Sequence, residues 1–340
     1  MRHKGERGGG GGGLRELVGA IKDKASQTRA TFQPPSPYQL PLLRSTTHSP
    51  TAPPSLRHLS YLLTLSNSSR SSASSLVSSL MDRLRHTRSS PVALKCLFSF
   101  HFFLRHGPFI LLDQLSFLPL LGGRNYLNLS SFRDSTSPLS WDLSAWVRWY
   151  ASYLERAVSS CRALGHHFLN SSSESTPSPL NDESKVSSFA NHDLLLEIES
   201  LAGLIEETSR ILESCLDNPI VQAVKEYVMD DCTRVIRAVS IRINEFGERI
   251  ELLSFADSVE LVCSLRRLEA CGGRVEEMLD GEGSSRVWDS IRVLRGKVGG
   301  GGEGDGESRN GGWSESARFD VGRRLPRLSD SVLFPSGRWL

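Results

Sequence analysis

The sequence predicts an all-α protein whose helices pack in a right-handed, solenoid-like stack. Apolar residues recur every three or four positions along most of the chain, and no segment alternates well enough to predict a strand. Proline and glycine divide these periodic segments into helices of similar length with short connections. The 340 residues, of which 39% are hydrophobic, are enough for a substantial core. These observations together favour a layered helical fold.

The pattern between residues 140 and 155 predicts the central helix of this stack. One face carries Leu143, Trp146, Val147, Tyr150 and Leu154, and a neighbouring face carries Trp149 and Tyr153. A helix that is apolar on two faces must be covered from two sides. Core packing is therefore the preferred interpretation of these aromatic residues. Asp142 or Ser140 is predicted to cap the helix start.

The other helices follow from the same periodicity. A first helix begins near Leu14, with Leu17, Val18, Ile21 and Ala25 on its apolar face, and ends at the proline-rich segment 33–38. Short helices are predicted on either side of the proline-bearing loop 49–55. Further helices are predicted near 76–84, 92–104, 109–121, 193–216, 221–253, 255–271 and 287–298. Gly272 and Gly273 are expected to interrupt the helical pattern.

Composition divides the chain into five parts. Residues 1–13 and 299–340 are rich in glycine and charged residues and are predicted to be disordered tails. Residues 14–164 form a predicted helical subdomain. Residues 165–188 are predicted to form a Ser/Pro-rich loop, and residues 189–298 form the C-terminal helical part.

Charge and cysteine content limit the possible classes of protein. The net charge of +2 is nearly neutral, so any cationic surface must be local. The six cysteines include no Cys-x-x-Cys pair, which favours reduced thiols in the cytosol over a disulfide framework or a zinc site. No apolar run reaches about 18 residues and no apolar signal segment occurs, so we expect neither a membrane span nor secretion.

No pattern in the sequence predicts an enzyme, a cofactor or a metal site. We find no nucleophile elbow or paired acid–base carboxylates, and the glycine tract 299–306 lacks the flanking features of a phosphate loop. His101 and His106 are interpreted as satisfied core or surface histidines. The tail arginines lack interleaved aromatic residues, so we predict no nucleic-acid partner. These arginines are Arg318, Arg323, Arg324 and Arg327.

Basic residues bracket the proline-bearing loop. Arg44 precedes the loop, and Arg57 and His58 follow it. Because the loop folds back, these groups are expected to meet at one exposed corner, where a helix N-terminus adds partial positive charge. This arrangement suits a polyanion such as an inositol phosphate headgroup. The basic cluster at 83–88 has a structural explanation instead, because cations are favoured at a helix C-terminus.

Ten short segments resemble a known family. The first five are Leu17-Val-Gly-Ala-Ile-Lys-Asp-Lys-Ala-Ser26, Arg44-Ser-Thr-Thr-His48, Arg57-His-Leu59, Val92-Ala-Leu-Lys95 and Arg105-His-Gly107. The others are Gly122-Gly-Arg-Asn-Tyr-Leu127, Ser131-Phe-Arg-Asp134, Trp146-Val-Arg-Trp-Tyr-x-x-Tyr-Leu-Glu155, Asn244-Glu-Phe-x-Glu-Arg249 and Val259-Glu-Leu-Val-Cys-x-Leu-x-Arg-Leu-Glu269. In this order, over about residues 14–298, they resemble the ANTH-domain clathrin assembly proteins of plants, within the ENTH/ANTH/VHS superfamily.

The resemblance implies a helical stack at the cytosolic face of membranes. Such a protein would bind phosphatidylinositol 4,5-bisphosphate through its 14–164 part and link the membrane to clathrin. The implied locations are clathrin-coated pits and vesicles, the plasma membrane and the Golgi apparatus. The family's lipid signature is a lysine, a threonine-rich turn with histidine, and a lysine-rich run ending in histidine or tyrosine. Arg44, His48, Arg57 and His58 take the matching positions here.

The lysine-rich run of that signature is mostly lost, because residues 54–56 read Pro-Ser-Leu. Lys22 and Lys24 compensate if the first helix lies beside the loop. A basic residue near an anionic leaflet contributes about 1 kcal/mol, so the two arginines alone predict weak lipid binding. With both lysines and a protonated His58, we expect useful binding that is weaker and more salt-sensitive than with the full lysine run.

One weak clathrin-binding candidate lies in the C-terminal half. Leu195, Leu196, Ile198 and Glu199 fit the short clathrin-box pattern. Such peptides bind in extended form, whereas this segment lies on a predicted helix and supplies its apolar face. Helix packing is therefore the preferred interpretation.

A second hypothesis is a helical scaffold that recognises a partner helix and binds lipid weakly or not at all. The family resemblance implies that a groove between late helices can hold a SNARE. The candidate surface here is residues 221–270, whose apolar stripes could receive an amphipathic helix.

Overall fold

The structure, a computed structural model, describes residues 11–32, 37–117, 125–165, 168–169, 179–279 and 282–300. Twelve α-helices and one 3-10 helix lie in these residues, which contain no β-strand, so the predicted all-α class is confirmed. The first six helices are α1 Gly11–Phe32, α2 Gln39–Ser45, α3 Leu56–Ser66, α4 Arg70–His86, α5 Ser90–His106 and α6 Phe109–Phe117. The others are α7 Pro138–Leu164, α8 Pro179–Ser187, α9 Asn191–Ser209, α10 Pro219–Glu248, α11 Phe255–Leu279 and α12 Glu282–Gly300, with the 3-10 helix at Ile250–Leu252.

Helices α5 and α7 form the centre of the core. Residues 90–105 of α5 are all buried. Helix α7 packs against α5 and α9, and Trp146 and Tyr150 on it are fully buried. The indole N–H of Trp146 donates to the Ser214 carbonyl at 2.8 Å, so even its polar atom is satisfied. The prediction of a central helix that is covered from two sides is confirmed.

The cap of α7 differs from the prediction. The helix begins at Pro138, and the hydroxyl of Ser137 accepts a hydrogen bond from the Ser140 N–H at 3.0 Å. Serine before proline suits a helix start, because the hydroxyl caps a free N–H group and the proline lacks one. The prediction of Ser140 or Asp142 as the cap was wrong.

The glycine pair at 272–273 does not interrupt its helix, because α11 runs through it to Leu279. Gly272 faces α12, where an added Cβ would lie 3.2 Å from the Trp288 ring, whereas an added Cβ at Gly273 would meet nothing within 4 Å. The first glycine therefore permits close packing of α11 against α12. The expected break was wrong because helix packing outweighs the low helix propensity of glycine.

Two segment boundaries also differ from those inferred from composition. Helix α8 lies inside the predicted loop 165–188, and its Val186 is buried against the core. Helix α1 begins at Gly11, within the predicted leader 1–13. Most of the leader, and the tail beyond residue 300, lie outside the described residues.

A buried polar network joins α5, α7 and α10. The Asp231 carboxylate accepts a hydrogen bond from the Tyr153 hydroxyl at 2.8 Å, and it lies 2.6 Å from His101 Nε2. His101 Nδ1 lies 2.8 Å from the Tyr150 hydroxyl. Burial, and then the charge of Asp231, raise the pKa of both tyrosines well above its usual value, so both remain neutral. The interpretation of His101 as a satisfied core histidine is confirmed.

Candidate anion-binding site

The cations that the sequence separates by the proline-bearing loop lie close together in the structure. Arg44 lies in the last turn of α2, Arg57 and His58 lie in the first turn of α3, and these two helices pack against each other. Both arginine side chains are exposed, and the charge of each lowers the pKa of His58. The charges of Arg44 and Arg57 therefore both act on the His58 imidazole. We call these three residues the cationic corner.

The start of α3 is electrostatically unusual. Its first turn contains no acidic residue, and the Ser55 side chain at its N-cap makes no capping hydrogen bond. A helix N-terminus already carries partial positive charge, and here Arg57 and His58 add to it. Within the described residues, His58 Nδ1 is buried and has no hydrogen-bond partner. An arrangement that is unfavourable by itself becomes favourable when an anion binds.

The protonation state of His58 differs from the one assumed for a strong lipid site. Burial, then Arg44, then Arg57 lower its pKa below the usual 6.5. The side chain is therefore mainly neutral at pH 7 in the free protein. The sequence-based estimate of binding strength counted a protonated His58 as a third cation. In the free protein the corner instead has two permanent cations, Arg44 and Arg57.

Residues on three helices and at the N-cap of a fourth hold the threonine-rich turn, residues 46–50, that follows Arg44. From α4, Arg83 donates to the side-chain and backbone oxygens of Thr46. From α1, Asp23 accepts the His48 N–H at 2.8 Å, and its other oxygen lies 2.6 Å from His48 Nδ1. Asp23 therefore fixes the imidazole of His48 in a structural ion pair or hydrogen bond.

The remaining anchors of the turn come from α5 and from the start of α10. The Lys95 ammonium donates to the Thr47 carbonyl, the Thr47 hydroxyl and the Ser49 carbonyl at 3.0, 3.0 and 2.8 Å. The Asn218 amide donates to the Pro50 carbonyl at 2.9 Å. Asn218 also caps α10, accepting from the Ile220 N–H at 2.9 Å. Every residue of the turn is thus held by another part of the fold.

Helix α1 lies beside the turn, as the predicted role of its lysines requires. An added Cβ at Gly19 would lie 3.0 Å from His48 Cβ, so this glycine allows the close approach. Lys22 and Lys24 are both exposed and flank Asp23 in the sequence. Lys22 and His48 line a groove of about 1960 Å³ beside α1. Lys24 does not line that groove, so only Lys22 shares it with the turn.

Exposed apolar side chains lie on the elements that carry the cations. Leu17 and Ile21 on α1 are 59% and 58% exposed, and Leu56 and Tyr61 on α3 are 51% and 53% exposed. The apolar face predicted for α1 is therefore not used in the core. Apolar side chains next to lysine and arginine are typical of a helix at a membrane surface.

The clathrin-box candidate is built into helix α9. Leu195 and Ile198 are buried in the core, whereas Leu196 is 49% exposed. Glu199 is exposed and lies 4.0 Å from Arg267 of α11. The segment cannot become extended without removing Leu195 and Ile198 from the core. The structure therefore favours the packing interpretation of this pattern.

Two residues that organise the site were not singled out by the sequence-based argument. Lys95 is the one Asp, Glu, Lys or Arg in the apolar segment 92–104, and a charge in such a segment is a usable signal. Arg83 was explained by its position at the end of α4. Its contact with Thr46 depends on the packing of α4 against the preceding helices, which no local pattern reveals.

Other classes of site find no support in the described part of the chain. No group of three or more His, Cys, Asp or Glu residues there could hold a metal ion. None of the described helices has the length and apolar character needed to cross a bilayer. The tail arginines lie outside the described residues.

This fold is a stack of α-helices, and it presents cations at a helix start that lacks a side-chain cap. Together these features are those of an α-helical domain suited to binding anions. A sequence profile of the ANTH domain matches residues 42–280, and the chain belongs to the ANTH domain family. It is 42% identical to "Putative clathrin assembly protein At4g40080" of Arabidopsis thaliana, over 95% of this chain and 93% of that protein. It is 29% identical to the Arabidopsis thaliana protein "Putative clathrin assembly protein At5g65370", over 76% of this chain and 90% of that protein.

Proposed function

We propose that this protein is a peripheral membrane adaptor that binds phosphatidylinositol 4,5-bisphosphate and helps to assemble clathrin coats. The observation that carries the proposal is the cationic corner, where Arg44, Arg57 and His58 meet at the uncapped start of α3. A phosphorylated inositol would supply the anionic oxygens that this corner lacks. The proposed action involves no chemical step and no cofactor.

Lys22 and the exposed apolar residues extend the proposed membrane contact. Lys22 adds a cation beside the turn, and Leu17, Ile21 and Leu56 add apolar area that the interfacial region of a bilayer would cover. With two exposed arginines and no lysine run, binding is expected to be weak and strongly salt-dependent. The protein would then depend on several contacts at once to stay on a membrane.

The clathrin part of the proposal rests on the relatives, each of which is named "Putative clathrin assembly protein". The buried box in α9 is not included in it. We propose the cytosolic face of clathrin-coated pits and vesicles as the site of action, at the plasma membrane or the Golgi apparatus.

The test is sedimentation with vesicles that contain phosphatidylinositol 4,5-bisphosphate, compared with vesicles without it. The double variant Arg44→Ala/Arg57→Ala removes two cations from the corner. At about 1 kcal/mol for each, the apparent affinity should fall about thirtyfold at low salt. Circular dichroism should remain unchanged, because both side chains are exposed.

The matched control is Arg210→Ala/Arg292→Ala, which makes the same change in net charge on two exposed arginines, one at the C-cap of α9 and one in α12. This control should retain most of the lipid binding. Equal losses in both double variants would reject the cationic corner as a specific site. If the unmodified chain binds equally well to vesicles without phosphatidylinositol 4,5-bisphosphate, this lipid is rejected as the specific ligand.

The second candidate function is capture of a partner helix such as a SNARE segment. Supporting it, Leu252 and Phe255 within the predicted surface 221–270 are 74% and 87% exposed. Against it, α12 packs on both α10 and α11 and buries Trp288, so much of the expected groove is filled. Soluble distribution with co-purified SNAREs would favour capture, and lipid binding without them would favour the adaptor.

A further inference from the structure

Lys95 is buried completely in the middle of the core helix α5. A lysine in this position must satisfy its ammonium group, because desolvating a charge is costly. It does so by reaching out of the core to the threonine-rich turn. Its three donors match three acceptors, namely the carbonyl and hydroxyl of Thr47 and the carbonyl of Ser49.

These acceptors lie on either side of His48 in the sequence. The ammonium therefore fixes the path of the turn, while Asp23 separately fixes the imidazole. A neutral amine has only two donors and presents a lone pair, so one of the three oxygens would lose its partner. Loss of the Lys95 charge should loosen the backbone between Thr47 and Ser49.

We propose that Lys95 is a positioning residue whose ammonium holds residues 46–50 in the conformation that binds a phosphoinositide, and that lipid affinity falls when this group loses its proton. This inference rests on the proposed function. Lys95 itself is enclosed and does not touch the ligand. It acts through the turn that connects Arg44 to the loop and to the start of α3.

The surroundings of Lys95 bring the loss of its proton into a pH range that can be tested. Burial lowers the pKa of Lys95 to about 8; the charge of Asp23 favours the ammonium form, and the charge of Arg83 disfavours it. The neighbouring Cys96 thiol stays neutral in this range, because burial raises its pKa to about 12. His48 also faces this region through its pairing with Asp23. At pH 7 most molecules carry the ammonium, whereas at pH 9 about one in ten does.

Stability and lipid binding should respond to this proton in opposite directions. The folded pKa lies below the unfolded one, so between pH 8 and pH 10.5 the unfolded chain binds more protons. The contribution of Lys95 to stability therefore rises with pH through this window. A purely structural lysine would not weaken lipid binding while the fold becomes more stable.

The experiment measures binding to vesicles that contain phosphatidylinositol 4,5-bisphosphate from pH 6.5 to pH 9.5. The unmodified chain should lose up to about tenfold in affinity between pH 7 and pH 9, following the protonated fraction. Lys95→Met should bind weakly at pH 7, and its affinity should not show this loss between pH 7 and pH 9. Thr47→Val, which removes one acceptor, should weaken binding at pH 7, and Thr47→Ser should restore it.

Hydrogen exchange at the backbone amide of His48 separates this inference from the proposed function. In Lys95→Met that amide should exchange faster, with or without lipid, while global unfolding remains cooperative. Unchanged exchange in both Lys95→Met and Thr47→Val would overturn the positioning role. If the unmodified chain does not bind lipid but the amide exchanges faster in the variants, the proposed lipid function is rejected. The conclusion that Lys95 holds residues 46–50 would still stand.

Discussion

The protonation state of His58 should depend on whether the cationic corner has bound a phosphoinositide. In the free protein, burial and the two neighbouring arginines lower its pKa, so the corner carries two permanent cations rather than three. A bound phosphate would offset the arginine charges and raise the pKa again. By linkage, the state with bound lipid should take up a proton near neutral pH.

Lipid binding should therefore strengthen as the pH falls from 7 to 5. A protonated His58 adds about 1 kcal/mol near the headgroup, which corresponds to about fivefold in affinity. Vesicle sedimentation across this range checks the slope, and His58→Gln should reduce it. A slope that is identical in His58→Gln would show that the effect comes from other titrating groups, such as other histidines or the lipid phosphates, whose second pKa is about 6. Without lipid, the lowered pKa means that the contribution of His58 to stability falls as the pH drops below 6.5.

At the scale of elements, α11 and α12 show how packing uses a residue that is locally unfavourable. Glycine costs about 1 kcal/mol in a helix interior relative to alanine. At Gly272 this cost is offset by the close approach of the Trp288 ring. At Gly273, the neighbouring position, an added methyl group would meet no other atom within 4 Å.

Two alanine substitutions at adjacent positions should therefore differ in their effect on stability. Gly273→Ala should raise the free energy of unfolding by about 0.5–1 kcal/mol, because helix propensity improves with no clash. Gly272→Ala should lower it relative to Gly273→Ala, because the methyl group pushes on the indole at 3.2 Å. Urea denaturation of both variants measures the difference. Equal stabilisation by the two would contradict the assigned packing of α12.

At the scale of the whole molecule, one buried network joins the two helical parts that composition separates. Asp231 of α10 lies within hydrogen-bond distance of His101 on α5 and accepts from Tyr153 on α7. Asn218 connects the start of α10 to the threonine-rich turn. The two predicted parts, 14–164 and 189–298, therefore share a core, and the threonine-rich turn is held by residues from both of them.

Removal of the central carboxylate should destabilise the whole stack. In Asp231→Ala, His101 and Tyr153 lose their shared partner in the core, which should cost about 3–5 kcal/mol. Asp289 of α12, whose side chain is 61% exposed and pairs with the exposed Arg292, is the control, and Asp289→Ala should cost about 1 kcal/mol or less. Thermal and urea unfolding measure both variants. Similar small losses would show that the network contributes little.

Local patterns were sufficient to predict most of the helices, though not α8, and to identify the candidate cations. Helical periodicity predicted α7 and its buried aromatic residues, because burial on two faces is written in the spacing of the side chains. The cations at 44, 57 and 58 could be identified because they flank one loop. The continuous α11 and the Ser137 cap were missed, since both depend on helix starts and contacts that compete with simple residue preferences.

The sequence by itself determined the all-α class, the order of the helices and the candidate cations, because periodicity and loop position are local properties. Only the tertiary structure decided that Lys95, Arg83, Asp23 and Asn218 hold the turn, since these residues lie on three helices and at the N-cap of a fourth, which meet through packing. It also decided that His58 is mainly neutral. A pKa depends on burial and on charges that are distant along the chain, and these are set when the helices assemble.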